Sequence, residues 1–197
     1  MKKILPVIVA MLLAAGCAGN QSSPTTVYDL GPLDTRQATA IPGLPPVAIA
    51  EIQGPGWLDS TLIFYRLNYS NTQQPKPYAH ARWTMPPAQL LLQRLKVRIT
   101  QAGGVAVAAS HGATNVPVLR VEADEFSQNF DAPDSSTAQV GLRASVYKGR
   151  TLVAHKGFLR QVPAPSADAE GGVKALAAAS DAAITDLMMW LGTLDLK

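Results

Sequence analysis

Three stretches of this 197-residue chain carry apolar side chains on one face only, in two different periods. Between Ala138 and Tyr147, Val140, Leu142, Ala144 and Val146 alternate with Gly141, Arg143, Ser145 and Tyr147. That is the period of a strand with one buried and one wet face. After Pro86-Pro87, residues suited to a first helical turn, Ala88, Leu91, Leu92, Leu95, Ile99 and Ala102 recur at spacings of 3 and 4 until Gly103-Gly104 ends the run. Gln89, Gln93, Arg94, Lys96 and Arg98 occupy the opposite face. A second helix starts near Ser166, with Asp168 and Glu170 in its first turn, and ends at Gly192; its stripe is Val173, Leu176, Ala177, Ser180, Ile184, Leu187 and Leu191. Gly171-Gly172 would cost about 2 kcal/mol inside a helix, which moves the expected start toward Val173. One-faced helices and a one-faced strand bury each other. The expected class is therefore α/β, a single domain with a mixed β-sheet and amphipathic helices packed on it.

Further strands are expected at Tyr28 to Leu30, Pro46 to Gln53, Thr61 to Tyr65, Val116 to Phe126 and Thr151 to Gln161, each rich in β-branched, aliphatic or aromatic residues and bounded by Gly, Pro or Asp. Both faces of Val47 to Ile52 are largely apolar, which predicts a central position. Lys148-Gly149-Arg150 reads as a tight hairpin, and Asp131 to Thr137 and Pro163 to Ser166 as turn-rich connections. No repeat is visible. Pro42 to Pro46 could link two units, but an arm ending in one short strand cannot fold alone, so residues 27–197 read as one unit.

The amino terminus has the form of an export signal. Met1-Lys2-Lys3 is followed by a twelve-residue apolar run from Ile4 to Ala15, interrupted by Pro6, and then by Gly16-Cys17. A membrane span needs about 20 residues, so residues 1–16 are expected to be removed. Leu13-Ala14-Ala15-Gly16-Cys17 resembles a bacterial lipobox, in which the thiol after the cut receives a diacylglyceryl group. An ordinary secreted protein with a stray cysteine is the alternative, disfavoured because an unpaired thiol is a liability in an oxidising compartment. With each buried methylene contributing about 0.8 kcal/mol, three acyl chains would hold the mature protein on a bilayer almost permanently. Ala18, rather than Asp, follows the cysteine. By resemblance to enterobacterial sorting rules, this favours the inner leaflet of the outer membrane. Residues 17–26 form a polar tether with a span of about 17 Å, so the expected organisation is leader 1–16, lipidated tether 17–26 and domain 27–197.

Charge excludes one class of partner. Lys2 and Lys3 account for two of the 17 basic residues, leaving 15 against 14 acidic ones in the mature chain, too even a balance for a nucleic-acid binder. At 47% hydrophobic and 16% charged residues, the chain is too apolar to be disordered. Phosphate-binding loops, the G-x-S-x-G elbow and H-E-x-x-H are all missing. His80, His111 and His155 are far apart and Cys17 stands alone, so no metal or other cofactor is expected. Ser110-His111 and Asp124-Glu125 are adjacent pairs, which on a strand point to opposite faces; they read as polar surface rather than catalytic couples.

Two groups remain as candidate partner-binding residues. Arg94 and Arg98 share a helical face with Lys96 beside them and could meet anionic lipid heads or an acidic partner, though solvation alone would also explain them. Trp57, Tyr65, Tyr78 and Trp83 cluster around a loop rich in Pro, Asn and Gln, Leu67 to Pro77, and read equally as core packing or as a partner surface.

The run from Val47 to Ile99 resembles the ABC-type transport auxiliary lipoprotein family, whose members include the paraquat-inducible protein C type. The similarity rests on order. Tyr28-Asp29-Leu30 comes first, then Pro55, Leu58 and Asp59, then Tyr65-Arg66, Arg82-Trp83 and the helix from Pro86 to Ala102, and at the end an Ala-rich helix with Asp186-Leu187 and Trp190-Leu191. Pro-Gly-Trp before Leu58 and Thr-Met after Trp83 depart from the pattern. The resemblance implies a fold similar to anticodon-binding-like and TolB amino-terminal domains, and a non-enzymatic outer-membrane lipoprotein facing the periplasm. Its implied partners are an MCE-type substrate-binding protein with its ABC permease and ATPase, which together move phospholipid or other hydrophobic molecules. Homo-oligomers are implied only by ring-forming relatives. A direct lipid-binding module, which would need an apolar pocket, and a cryptic hydrolase are the alternative readings.

Overall fold

A computed structural model describes residues 24–33, 40–112 and 115–196. Its frame is an antiparallel meander of three long strands, β6 (Val118–Ala132), β7 (Ser135–Lys148) and β8 (Thr151–Pro163). The alternation from Ala138 to Val146 does what the pattern requires. Ala138, Val140, Leu142, Ala144 and Val146 are all buried, while Arg143 on the other face reaches Glu122 and Asp124 of β6 at 2.6 and 2.7 Å in solvent. The hairpin at Gly149 is present, with Lys148 opposite Thr151 and a positive φ of 61° at the glycine.

The supposed connection from Asp131 to Thr137 is mostly strand. Ala132 pairs with Ser135 and Phe130 with Ser136, leaving only Pro133 and Asp134 to turn. Turn-forming residues lost to the ladder there because Ser136 is buried and its Oγ accepts a hydrogen bond from Gln128 Nε2 at 2.8 Å. The segment read as a loop from Leu67 to Pro77 is likewise largely strand: β3 (Leu62–Leu67) and β4 (Asn71–Trp83) form a hairpin whose turn is Asn68 to Ser70.

The other edge of β6 is long enough to serve two partners. Near its start β2 (Val47–Ile49) runs parallel to it, with Ile49 opposite Leu119; near its end β3 does, with Leu67 opposite Phe130. Beyond β2 lies β5 (Ala106–Ala108), and beyond β3 lie β4 and then β1 (Thr26–Tyr28), completing an eight-stranded mixed sheet. Val47, Ala48 and Ile49 are buried on both faces, as expected of a central strand.

Two helices cover one face. α1 (Pro87–Gln101) contributes Leu91, Leu95 and Ile99 to the core, and α2 (Ala169–Gly192) contributes Leu176, Ile184, Leu187 and Leu191. The fold is thus the expected α/β class, built as one hydrophobic core between sheet and helices.

α2 begins at Ala169, ahead of the glycine pair rather than after it. A Cβ on Gly172 would fall inside the Gln128 amide, and one on Gly171 would strike the Ser166 backbone, so packing requires both glycines despite their cost to the helix. The Asp168 side chain caps this start, accepting from the Gly171 N–H at 2.8 Å and from Ser166 Oγ at 2.8 Å. These two donors, the backbone one foremost, hold the Asp168 carboxyl below the usual carboxylate range. Replacing Asp168 with alanine should therefore cost about 1 kcal/mol at neutral pH. Because the folded-state pKa is lowered, the cap contributes above the unfolded value of about 3.9 and fades as pH falls through the folded one. Urea titrations of the two proteins should differ at pH 6 and converge in strong acid; a difference that persists there would mean the cap is not electrostatic.

Candidate interaction surfaces

The residues singled out from sequence fall into three settings, only some of them open to a partner. Trp83 closes β4 and is buried, its ring edge-on to Phe126 at 5.6 Å. It is a core residue. Tyr65 and Tyr78 face each other across the β3–β4 hairpin at 4.6 Å, with Phe130 5.7 Å from Tyr65. The Tyr78 hydroxyl donates to Gln128 Oε1 at 2.9 Å, and burial, followed by Tyr65 and Asp168, raises its pKa above the ordinary phenol value. A phenol that keeps its proton is the donor this bond needs. Trp57, in the short helical turn Gly56–Asp59, meets Phe64 edge-on at 5.6 Å and stays half-buried. Folding has therefore divided one sequence cluster of aromatics into two small stacks and a core residue.

The arginines are also engaged. Arg94 is not on a solvated face: its Nε and NH2 donate to both carboxylate oxygens of Asp181 at 2.8 and 2.6 Å, and its NH1 donates to the Gly31 carbonyl at 2.6 Å. Arg98, one turn on, donates to Thr185 Oγ1 at 2.9 Å. Both side chains tie α1 to α2. The sequence pattern placed them opposite the leucines; instead Arg94 is buried four residues from the buried Leu90, and Arg98 follows one turn on along the same row, because α2 packs on that side. Asp181 and Thr185 lie four apart on α2, matching Arg94 and Arg98 on α1, and that matched spacing was the signal available in the sequence.

The residues weighed for catalysis remain apart. Ser110 and His111 are exposed in the short turn Ala109–His111, while His80 on β4 and His155 on β8 have β3, β6 and β7 between them. His155 Nδ1 does meet Ser145 Oγ across the β7–β8 ladder at 3.0 Å, on the open face of the sheet. Among the described residues no carboxylate is shown hydrogen-bonded to that imidazole, and no cluster of three or more His, Cys, Asp or Glu could hold a metal ion. A depression of about 500 Å³ is lined by Glu51, Lys96, Ser110, Arg120, Glu122 and Ser145 together with apolar residues such as Ile49, Leu92 and Val121, and so is of mixed character. Cys17 lies outside the described residues. Among the described residues no helix is long and apolar enough to cross a membrane.

The chain thus folds as a curled mixed sheet with two helices on one face. Residues 28–187 match the family described as the ABC-type transport auxiliary lipoprotein component, and the chain belongs to that family. A crystal structure of protein XCC0632 from Xanthomonas campestris, assigned to the family DUF330, is similar with a TM-score of 0.67 and 18% identity, covering 86% of this chain and 92% of that one. A second solved structure, of an uncharacterised protein, has a TM-score of 0.65 and 14% identity over 84% and 97% of the two chains. At these identities the likeness shows the fold. No curated protein sequence matches this chain.

Proposed function

We propose that this protein is the lipid-anchored, non-enzymatic docking component of an ABC-type transport system, held by acyl chains on Cys17 at the periplasmic face of the outer membrane. There it meets an MCE-type substrate-binding protein working with an ABC permease and ATPase, and the cargo is phospholipid or another hydrophobic molecule. The observation that carries this reading is the family match over residues 28–187 of a chain whose residues 13–17 read Leu-Ala-Ala-Gly-Cys. The charged and hydroxyl groups among the lining of the 500 Å³ depression favour docking over direct lipid binding, since a lipid site is lined mainly by apolar groups.

Native protein should incorporate an alkyne-tagged fatty acid and sediment with outer-membrane fractions, whereas Cys17→Ser should be unlabelled and released in soluble form. Crosslinked envelopes should yield an MCE-domain protein with the wild type and much less with the variant. An unlabelled native terminus, or a Cys17→Ser protein with unchanged location, would overturn the anchoring. Failure to recover any transport component from crosslinked envelopes would overturn the docking role.

A further inference from the structure

Among the described residues β8 is the outermost strand on its side of the sheet and is bonded to β7 alone. Over Thr151–Pro163 its outer edge therefore offers backbone donors and acceptors with no partner strand. Sheets commonly blunt such edges by shortening them or placing proline there, because an open edge templates pairing with another chain. This protein does so elsewhere. β1 and β5 are three residues each, and the part of β4 beyond its contact with β1 carries Pro75 and Pro77. On β8 the only proline is the last residue, and the one register irregularity against β7 lies near the hairpin, between Val146 and Tyr147.

The same edge is apolar. Leu152, Val153 and Leu159 are 52%, 44% and 59% exposed, and Met189 of α2 is 50% exposed. Phe158 and Trp190, edge-on at 5.7 Å, join Leu159, Met189, Lys156 and Asp186 around a shallow trough of about 440 Å³ beside the strand. An open ladder edge next to a side-chain slot is the arrangement used for strand addition, in which main-chain bonds supply affinity and the slot supplies selectivity.

Charge identifies the occupant. Residues 148–163 contain Lys148, Arg150, Lys156 and Arg160, with His155, and no aspartate or glutamate. Arg160 is held in a carboxylate pair, its Nε and NH2 both meeting Asp186. A second copy of β8 would set this basic strip against itself, and like charges across a ladder destabilise it. The chain's own tether is uncharged and enters at β1, on the arm of the sheet beyond β3 and β4. We infer that the β8 edge receives an extended segment of a partner protein in which acidic and apolar residues alternate. Its backbone continues the sheet, an apolar side chain enters the Phe158–Met189–Trp190 trough, and carboxylates meet Lys156 and Arg150. This deepens the docking reading, and rests on it for the existence of a partner.

The test uses the full lipidated protein in detergent micelles and a labelled nine-residue peptide alternating Glu and Val, with the Lys–Val peptide as control. The Glu–Val peptide should bind and slow amide exchange along Thr151–Pro163, while the Lys–Val peptide should not bind. Lys156→Glu with Arg150→Glu, and separately Leu159→Asp, should each weaken binding at least tenfold without lowering the melting temperature. Absence of binding, equal binding of both peptides, or protection away from β8 would overturn the inference. So would peptide-free protection of β8 that grows with protein concentration, which would assign the edge to a second copy. Protection of β8 by phosphatidylglycerol vesicles would assign it to a bilayer instead. If the peptide arm fails while crosslinked envelopes still deliver a transport component, docking stands and uses another surface.

Discussion

Gly172→Ala should destabilise the domain by about 3 kcal/mol, the opposite sign to the gain of about 1 kcal/mol that helix propensity predicts for the same change. The reason is what the glycine faces. Gln128 is fully buried and committed three ways: its Oε1 accepts from Tyr78, and its Nε2 donates to Ser136 Oγ and to the Asp168 carbonyl, the last at 3.2 Å. A Cβ on Gly172 would occupy the space of that amide. To make room, the amide would have to give up bonds that join β4, β6, β7 and the start of α2, and unmade buried bonds cost about 1–3 kcal/mol each. Thermal melts should show a fall on the order of 10 °C, at about 2–4 °C per kcal/mol for a domain of this size. The Gly172→Ala, Gln128→Ala double variant should be less destabilised than the sum of the two single changes, because truncating Gln128 removes the obstacle. A stabilised Gly172→Ala, or strict additivity with Gln128→Ala, would show that the close approach of helix and sheet is not what constrains this position.

The second large effect is asymmetric. Arg94 is only 8% exposed, whereas Asp181 is 31% exposed and keeps contact with water. Asp181→Ala strands a buried guanidinium with the Gly31 carbonyl as its one remaining partner shown here, a situation that costs about 3–5 kcal/mol. Arg94→Leu instead leaves a carboxylate that can be hydrated and fills the guanidinium's space with apolar atoms, so it should cost clearly less. Replacing both by leucine should recover most of the Asp181→Ala loss, since exchanging a buried ion pair for packed apolar groups is often neutral. Urea midpoints of the four proteins give the order directly. Equal losses for the two single variants, adding fully in the double, would mean that the α1–α2 contact does not depend on this pair.

Both effects concern residues whose importance is invisible one segment at a time. Gly171-Gly172 reads locally as a late helix start; only the Gln128 side chain arriving from β6 explains why glycine stands inside α2. Arg94 reads as solvated because periodicity reports which side of a helix is apolar, and not whether a second helix will approach from the polar flank. The aromatics follow the same logic. Trp83 and Tyr78 lie five apart on β4, yet one is buried against Phe126 and the other donates to the Gln128 amide two residues further along the same face of β6, a division that depends on what β6 presents.

What the sequence by itself determined is whatever a short window can encode: the period of β7, the stripes of α1 and α2, the hairpin at Gly149, the buried character of β2 and the ordered motifs that carry the family resemblance. Local side-chain period dictates which face must leave water, and that is enough for the α/β class. Tertiary structure decided the rest. Pairing β2 and β3 with the two halves of one β6 edge, turning Asp131 to Thr137 into ladder, burying Arg94 against Asp181 and leaving the outer edge of β8 without a partner strand among the described residues all depend on which segments meet, and most of those contacts join residues tens of positions apart. Their energies come from desolvation and close packing between elements, which no single stretch of chain records.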